Sequence, residues 1–110
     1  MIPFDDFLKV DIRAGTILSA APLEGARKPA YKLRIDFGSE IGEKQSSVQI
    51  TQRYISEDLP GTQICAVVNF EPKRIAGFMS EVLVLGLNDP DGFVVLVRPQ
   101  YKVPNGTRLY

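Results

Sequence analysis

Lys73 and Arg74 stand next to each other in the stretch Asn69-Phe70-Glu71-Pro72-Lys73-Arg74-Ile75-Ala76-Gly77-Phe78-Met79-Ser80-Glu81. Two adjacent cations on a chain connection suit an anionic partner, because their long side chains reach phosphate oxygens without burying charge. The connection lies between the apolar runs Ile64–Val68 and Val82–Leu85, both of which read as buried strands. Turning the chain round between two strands needs none of these side chains. A phosphate-contacting loop and an ordinary solvated loop both fit the stretch taken alone.

Other reactive chemistry is scarce. The chain has no His, which removes the commonest general base and transition-metal ligand together. Its one Cys, Cys65, sits in Ile64-Cys65-Ala66-Val67-Val68 and reads as a small core residue, since apolar surroundings raise a thiol's pKa. Disulfide frameworks and zinc clusters need more Cys or His than this. The carboxylates Asp11, Asp36 and Glu81 are scattered among strands with no nucleophile beside them. Gly38-Ser39-Glu40-Ile41-Gly42-Glu43-Lys44 faintly resembles a phosphate loop. However, Glu43 separates Gly42 from Lys44 and a strand-like segment follows where a helix should, so it reads as a hairpin connection. The expectation is a protein without catalytic residues, metal or cofactor.

Composition bounds the partners. A chain of 110 residues forms one domain, 1–110, large enough for a real core without staples. Formal net charge is zero, which excludes a general polyanion sponge and confines any nucleic-acid site to a local patch. No run approaches the roughly 18 apolar residues of a membrane span. The start, Met1-Ile2-Pro3-Phe4-Asp5-Asp6, lacks the basic and apolar regions of a signal peptide, so the expected location is the cytoplasm.

Strand patterns with turn signals between them recur along the chain. Val10–Leu18 alternates, with Gly15 placed to permit a bulge or sharp coil. Tyr31–Phe37 alternates most clearly, with Tyr31, Leu33, Ile35 and Phe37 inward and Lys32, Arg34 and Asp36 outward. Lys44–Ile50, Gln63–Phe70 and Glu81–Gly86 supply three more strands, the last two apolar enough to be covered on both faces. Thr51 can cap a short helix ending at Leu59 before Pro60-Gly61, and Pro3–Leu8 can form another. Five strands with a helix between the third and fourth is the order of an all-β OB-fold barrel. Beyond the fifth strand, Phe93-Val94-Val95-Leu96-Val97 exceeds what a closed barrel needs. It is either a dimer interface or an intrachain strand packed outside the barrel.

Sorting charge by segment reveals what the neutral total hides. Residues 22–34 hold Arg27, Lys28, Lys32 and Arg34 against Glu24 alone. In an OB barrel the connections after strands one and four, with the outer face of strands two and three, form the ligand surface. Those regions here hold Arg27, Lys28, Lys32, Arg34, Lys44, Ser46, Ser47, Gln49, Lys73 and Arg74. That surface lacks a row of aromatics for stacking bases, which favours a structured RNA backbone over a free single strand.

Several motifs in order resemble one family: Lys9-Val10-Asp11-Ile12-Arg13-Ala14-Gly15, Lys28-Pro29-Ala30-Tyr31-Lys32-Leu33-Arg34-Ile35-Asp36-Phe37-Gly38, Ser46-Ser47-Val48-Gln49-Ile50-Thr51, Ala66-Val67-Val68-Asn69-Phe70 and Ile75–Gly86. They are similar to the CsaA family of small secretion chaperones, within the tRNA-binding-domain superfamily that is also appended to methionyl- and phenylalanyl-tRNA synthetases. The resemblance covers about Phe4 to Asn105. It implies an OB-fold core, a homodimer, and binding of unfolded or precursor polypeptides and of tRNA. Carried over residue by residue, it implies tRNA contacts from Asn69, Lys73, Arg74 and Ser80, to which the charge pattern adds Lys28 and Lys32. Polypeptide binding is expected near the dimer seam, through Phe78 and Met79. An RNA-binding module and a peptide-binding chaperone both remain open.

Overall fold

The computed structural model describes residues 1–110. Helix α1, Phe4–Leu8, starts after Pro3, whose fixed φ suits a helix start, and carries Asp5 and Asp6 at its positive end. The barrel is wound on strand β1, Ile12–Pro22, the longest in the chain. After it come β2 (Tyr31–Asp36), the single-turn helix α2 (Gly38–Ile41), β3 (Glu43–Val48) and β4 (Gln63–Val67). The hairpin β5 (Lys73–Ile75) and β6 (Phe78–Ser80) precedes β7 (Leu83–Val84), and the hairpin β8 (Gly86–Asn88) and β9 (Val94–Leu96) follows.

Five strands form one antiparallel sheet in the order β3-β2-β1-β4-β7, the OB-type barrel that the strand order implies. The first half of β1 pairs with β4 and the second half with β2. Ile17, Leu33, Ile35, Phe37, Ile50, Leu59 and Ile64 fill its centre. On the edge of β1 that β2 leaves free, the C-terminal segment takes over. The Ala14 amide donates to the Thr107 carbonyl at 2.9 Å and the Leu109 amide to the Ile12 carbonyl at 2.9 Å. No helix is long and apolar enough to cross a membrane.

The barrel closes on the far edge of β3. There the Glu81 amide donates to the Gln45 carbonyl at 2.8 Å, and the Gln45 amide donates back to the Glu81 carboxylate at 3.0 Å. The Ser47 amide donates to the Ser80 hydroxyl oxygen at 3.1 Å.

Several sequence expectations change here. Gly15 is not the site of the bulge, because the ladder shifts later, between Ile17 and Ser19. A Cβ at Gly15 would lie 2.7 Å from both Ile35 and Phe37, so the glycine makes room for the core. Thr51–Leu59 is not a helix but a turn followed by one 3-10 turn, Ser56–Asp58. The Tyr54 carbonyl accepts from the Tyr31 hydroxyl at 2.7 Å, and Ile55 is extended, which breaks a helical path. Gly38–Ile41 is helical rather than part of a plain hairpin connection. The Lys73–Arg74 connection is itself a hairpin. The expected fifth strand shrinks to β7, where Leu83 is half exposed, while β4 is buried at every position. β9 serves inward and outward at once: Leu96 and Val94 pack on the core, while Phe93 and Val95 are exposed.

The β8–β9 turn is held by Asp89. Its carboxylate accepts the amides of Asp91 and Phe93, each at 2.9 Å, and pairs with Arg53, whose guanidinium lies 5.5 Å from the centre of the Phe93 ring. Desolvation pushes the Asp89 pKa up, but the hydrogen bonds from Phe93, Arg53 and Asp91 and the Arg53 charge outweigh it and hold the pKa below its ordinary value. A carboxylate depressed in the folded state contributes stability above its unfolded pKa, and that stability is lost as pH falls through the folded value. Asp89→Asn keeps an oxygen acceptor but removes the charge. Its denaturant midpoint should fall below the parent's near neutrality, and the gap should narrow as pH drops below about 4. A gap that stays constant with pH would show that the charge contributes nothing.

Candidate functional site

The β1–β2 connection and the β5–β6 hairpin face each other across a cleft of about 680 Å³. Arg27 and Lys28 line it from one side and Lys73 and Arg74 from the other, with Ser47 and Gln49 between. All four cations are exposed, none forms a salt bridge, and no carboxylate lines the cleft. Acids line the adjoining clefts instead: Glu24 one of them, Glu71 and Glu81 another. Four unpaired cations around a concave surface make a site for several phosphate oxygens at once.

The local sequence explains the hairpin. Ile75-Ala76-Gly77-Phe78 has Ala76 at φ 52° and Gly77 at φ 78°, so both central residues are left-handed, as a tight two-residue turn requires. That turn sets Lys73 opposite Ser80 and Arg74 opposite Met79. Contact between β3 and β6, with the bonds to Gln45 and Ser47, fixes the hairpin on the barrel.

The structure brings together three of the expected tRNA residues, Lys28, Lys73 and Arg74. Lys32 lies across the hairpin, beside Phe78 in a separate pocket of about 260 Å³. Asn69 is exposed, yet both ends of its amide are engaged: the Asp11 amide donates to its oxygen at 2.9 Å, and its nitrogen donates to the Lys9 carbonyl at 2.8 Å. Ser80 is half-buried and spends its hydroxyl on β3. Met79 is half-buried, and its carbonyl accepts from the Gln45 side chain at 2.9 Å. Phe78 is also half-buried.

Ser46, which the sequence places on the binding face, is fully buried and donates to the Val82 carbonyl at 3.0 Å. The weak alternation of β3 hides its parity, and Ser47 and Gln49 are the residues that face the cleft. Arg27 belongs to the site as fully as Lys28, and only the charge count of its segment signals it. Asp11, Asp36 and Glu81 lie apart in separate networks, with Arg13, with the Gly38 amide and with Gln45 respectively. Burial pushes the Cys65 thiol pKa up.

A family described as "Putative tRNA binding domain" matches residues 12–108. The chain belongs to that tRNA-binding-domain family and is a CsaA-like member of it. It is 57% identical to the crystal structure of the chaperone CsaA of Bacillus anthracis, with a TM-score of 0.93, covering 100% of this chain and 99% of that one. The CsaA chaperone protein of Picrophilus torridus is 50% identical, also with a TM-score of 0.93, and is covered over the whole length of both chains. Methionine–tRNA ligase of Parabacteroides distasonis is 37% identical over 109 residues, which is 98% of this chain but 16% of the ligase. The chain thus spans about a sixth of the curated ligases it matches, and the likeness lies in their tRNA-binding domain.

Ser80 separates a structural role from a binding one. Ser80→Ala leaves the Ser47 amide without its acceptor and should cost about 1 kcal/mol in urea unfolding, with the m-value unchanged. A fully stable variant would remove Ser80 from barrel closure.

Proposed function

We propose that this chain binds folded RNA of the tRNA class through the cleft formed by Arg27, Lys28, Lys73 and Arg74. The observation that carries the reading is the cleft itself: four exposed, unpaired cations from two sequence-distant segments, with no carboxylate among them. Membership of the tRNA-binding-domain family supports it. Cations on both sides suit a backbone that presents phosphates at fixed spacing, so binding is led by shape and tolerant of sequence. In this reading Ser80 supports the hairpin through Ser47, and Asn69, engaged with Lys9 and Asp11, stands outside the cleft.

Lys73→Ala with Arg74→Ala should reduce tRNA affinity and lower the magnitude of the slope of log affinity against log salt by about two, without altering preference among tRNAs. Filter binding or fluorescence anisotropy across a salt series measures both. A double variant with the parent's affinity and slope would reject the cleft.

A second activity is proposed beside it: an export-related chaperone that binds unfolded or precursor polypeptides and acts in the cytoplasm. Two structural neighbours of 57% and 50% identity carry the name chaperone. Large apolar residues also stand exposed, among them Phe4 at 70%, Leu87 at 68% and Tyr101 at 78%. Exposed apolar side chains of this size suit association where they gather in one patch. In this reading α1 and the Phe93–Tyr101 segment join two copies about a two-fold axis, and Phe78 and Met79 meet the polypeptide. Sedimentation at low micromolar concentration should give a dimer mass. Phe78→Ser with Met79→Ser should abolish suppression of aggregation of a denatured client while the dimer persists. A monomer would reject the interface, and full suppression by the variant would reject those two residues.

A further inference from the structure

We propose that the pocket beside Phe78 captures one unpaired nucleobase of an RNA whose phosphates lie in the cationic cleft, a proposal that rests on the RNA reading above. The pocket measures about 260 Å³, against the roughly 150 Å³ in which a benzene ring is held in an engineered protein cavity. Ala21, paired with Lys32 and on the same outer face of the sheet, stands beside the half-buried Phe78 ring, and its small side chain leaves width for a flat ligand. Aromatic rings hold bases by stacking, and every base offers a π-face.

The polar groups at this pocket suit a base joined to a phosphate. The Ser19 hydroxyl has no hydrogen-bond partner within the chain, and the ladder irregularity between Ile17 and Ser19 falls beside it. Gln45 spends its side-chain nitrogen on the Met79 carbonyl and keeps its side-chain oxygen free. Arg34 is committed to Glu43, at 3.2 and 2.9 Å. Lys32 is exposed and unpaired, and is therefore the free charge of the pocket. An apolar polypeptide side chain would leave that ammonium unanswered, whereas a nucleotide brings a phosphate within its reach.

A path joins the pocket to the cationic cleft. A third cleft of about 520 Å³ shares Ala21, Lys32 and Phe78 with the pocket and extends to Ala76, with Glu24 the one carboxylate along it. Ala76 also lines the cationic cleft, so the hairpin tip is the ridge between the two sites. Ala76 holds φ 52°, a region that Gly, Asn or Asp enter more readily than Ala. A methyl group there leaves the ridge low and uncharged, so a sugar–phosphate chain crosses it from Lys73 and Arg74 to Lys32. Backbone held in an unfavourable region at a ligand crossing is where strain is commonly kept.

The test compares two RNA stem-loops with the same phosphates: one with its loop bases intact, and one with every loop base removed from its sugar. The parent should bind the intact loop about tenfold more tightly, with equal salt slopes for both RNAs. Phe78→Leu removes the ring. Ser19→Leu fills the pocket from an exposed position and spares the core. Both variants should bring the ratio close to one while keeping the salt slope. Salt-dependent binding with equal affinity for the two RNAs would overturn the pocket and leave the cationic cleft standing. Absence of salt-dependent binding to either RNA would overturn the cleft and the pocket together. Equal affinities, with a short uncharged aromatic peptide bound by the parent but not by Ser19→Leu, would assign the pocket to polypeptide and overturn the base.

Discussion

Strand β3 has one edge covered by β2 and another on which the backbone amides of Gln45 and Ser47 point outward. An uncovered strand edge invites pairing with another chain, and a buried amide without an acceptor costs about 1–3 kcal/mol. The chain meets that constraint with side chains. The Glu81 carboxylate takes the Gln45 amide, and the Ser80 hydroxyl takes the Ser47 amide. Ser46 adds its own bond to the Val82 carbonyl, and no buried side-chain polar atom is left without a partner. Because side chains close the barrel at the foot of β6, the preceding residues need not pair with the sheet. They project as the β5–β6 hairpin, anchored at Ser80 and Glu81 and free at Ala76. Closure of the barrel and exposure of Lys73 and Arg74 are therefore one arrangement.

The charges of the molecule divide along the same line. Asp11 is shared by Arg13 and Arg108, Glu43 holds Arg34, Asp89 holds Arg53 and Asp6 holds Lys9. These pairs secure ends and turns: Arg13 also donates to the Gly106 carbonyl and Arg108 to the Leu8 carbonyl, fastening the C-terminal segment along β1 and α1. The cations of the cleft are among those that this fastening does not use. With zero net charge the far field is weak, and the local field acts over about one Debye length, near 10 Å at 0.1 M salt. A partner must enter the cleft to feel it, which favours a ligand of defined shape over any polyanion that drifts past.

How legible each part was in the sequence follows from how local its cause is. The alternation of Tyr31–Phe37 states which side faces the core, and the structure agrees, with Leu33, Ile35 and Phe37 buried and Lys32 and Arg34 exposed. The convergence of Lys28, Lys73 and Arg74 was legible because the OB topology brings those connections to one side. The division of Lys32 from them was not, since it depends on where the hairpin stands over the sheet. Helix propensity over Thr51–Leu59 lost to tertiary bonds: Tyr31 donates to the Tyr54 carbonyl, and the Leu96 amide donates to the Tyr54 hydroxyl. Asn69 reads as a polar loop residue, and only three-dimensional neighbours show it clasping Lys9 and Asp11. Gly15 reads as a flexible point, yet the contact that requires it comes from Ile35 and Phe37, far along the chain.

Elsewhere the local choices agree with the fold: glycine stands at nearly every left-handed position and acids are matched with bases. Disagreement gathers at the hairpin. Ala76 is the one residue other than glycine with positive φ, a conformation that costs an L-residue about 1–2 kcal/mol. Lys73 and Arg74 beside it, with Arg27 and Lys28 opposite, repel one another with no carboxylate between them. Substituting Asn at the tip or placing an acid in the cleft would relieve either cost without disturbing the barrel, so neither is imposed by folding. Local conflict that the scaffold does not require points to a ligand. In the proposed reading, phosphates entering the cleft would turn that repulsion into attraction. A loop kept only to turn the chain would have no reason to hold both costs in one place.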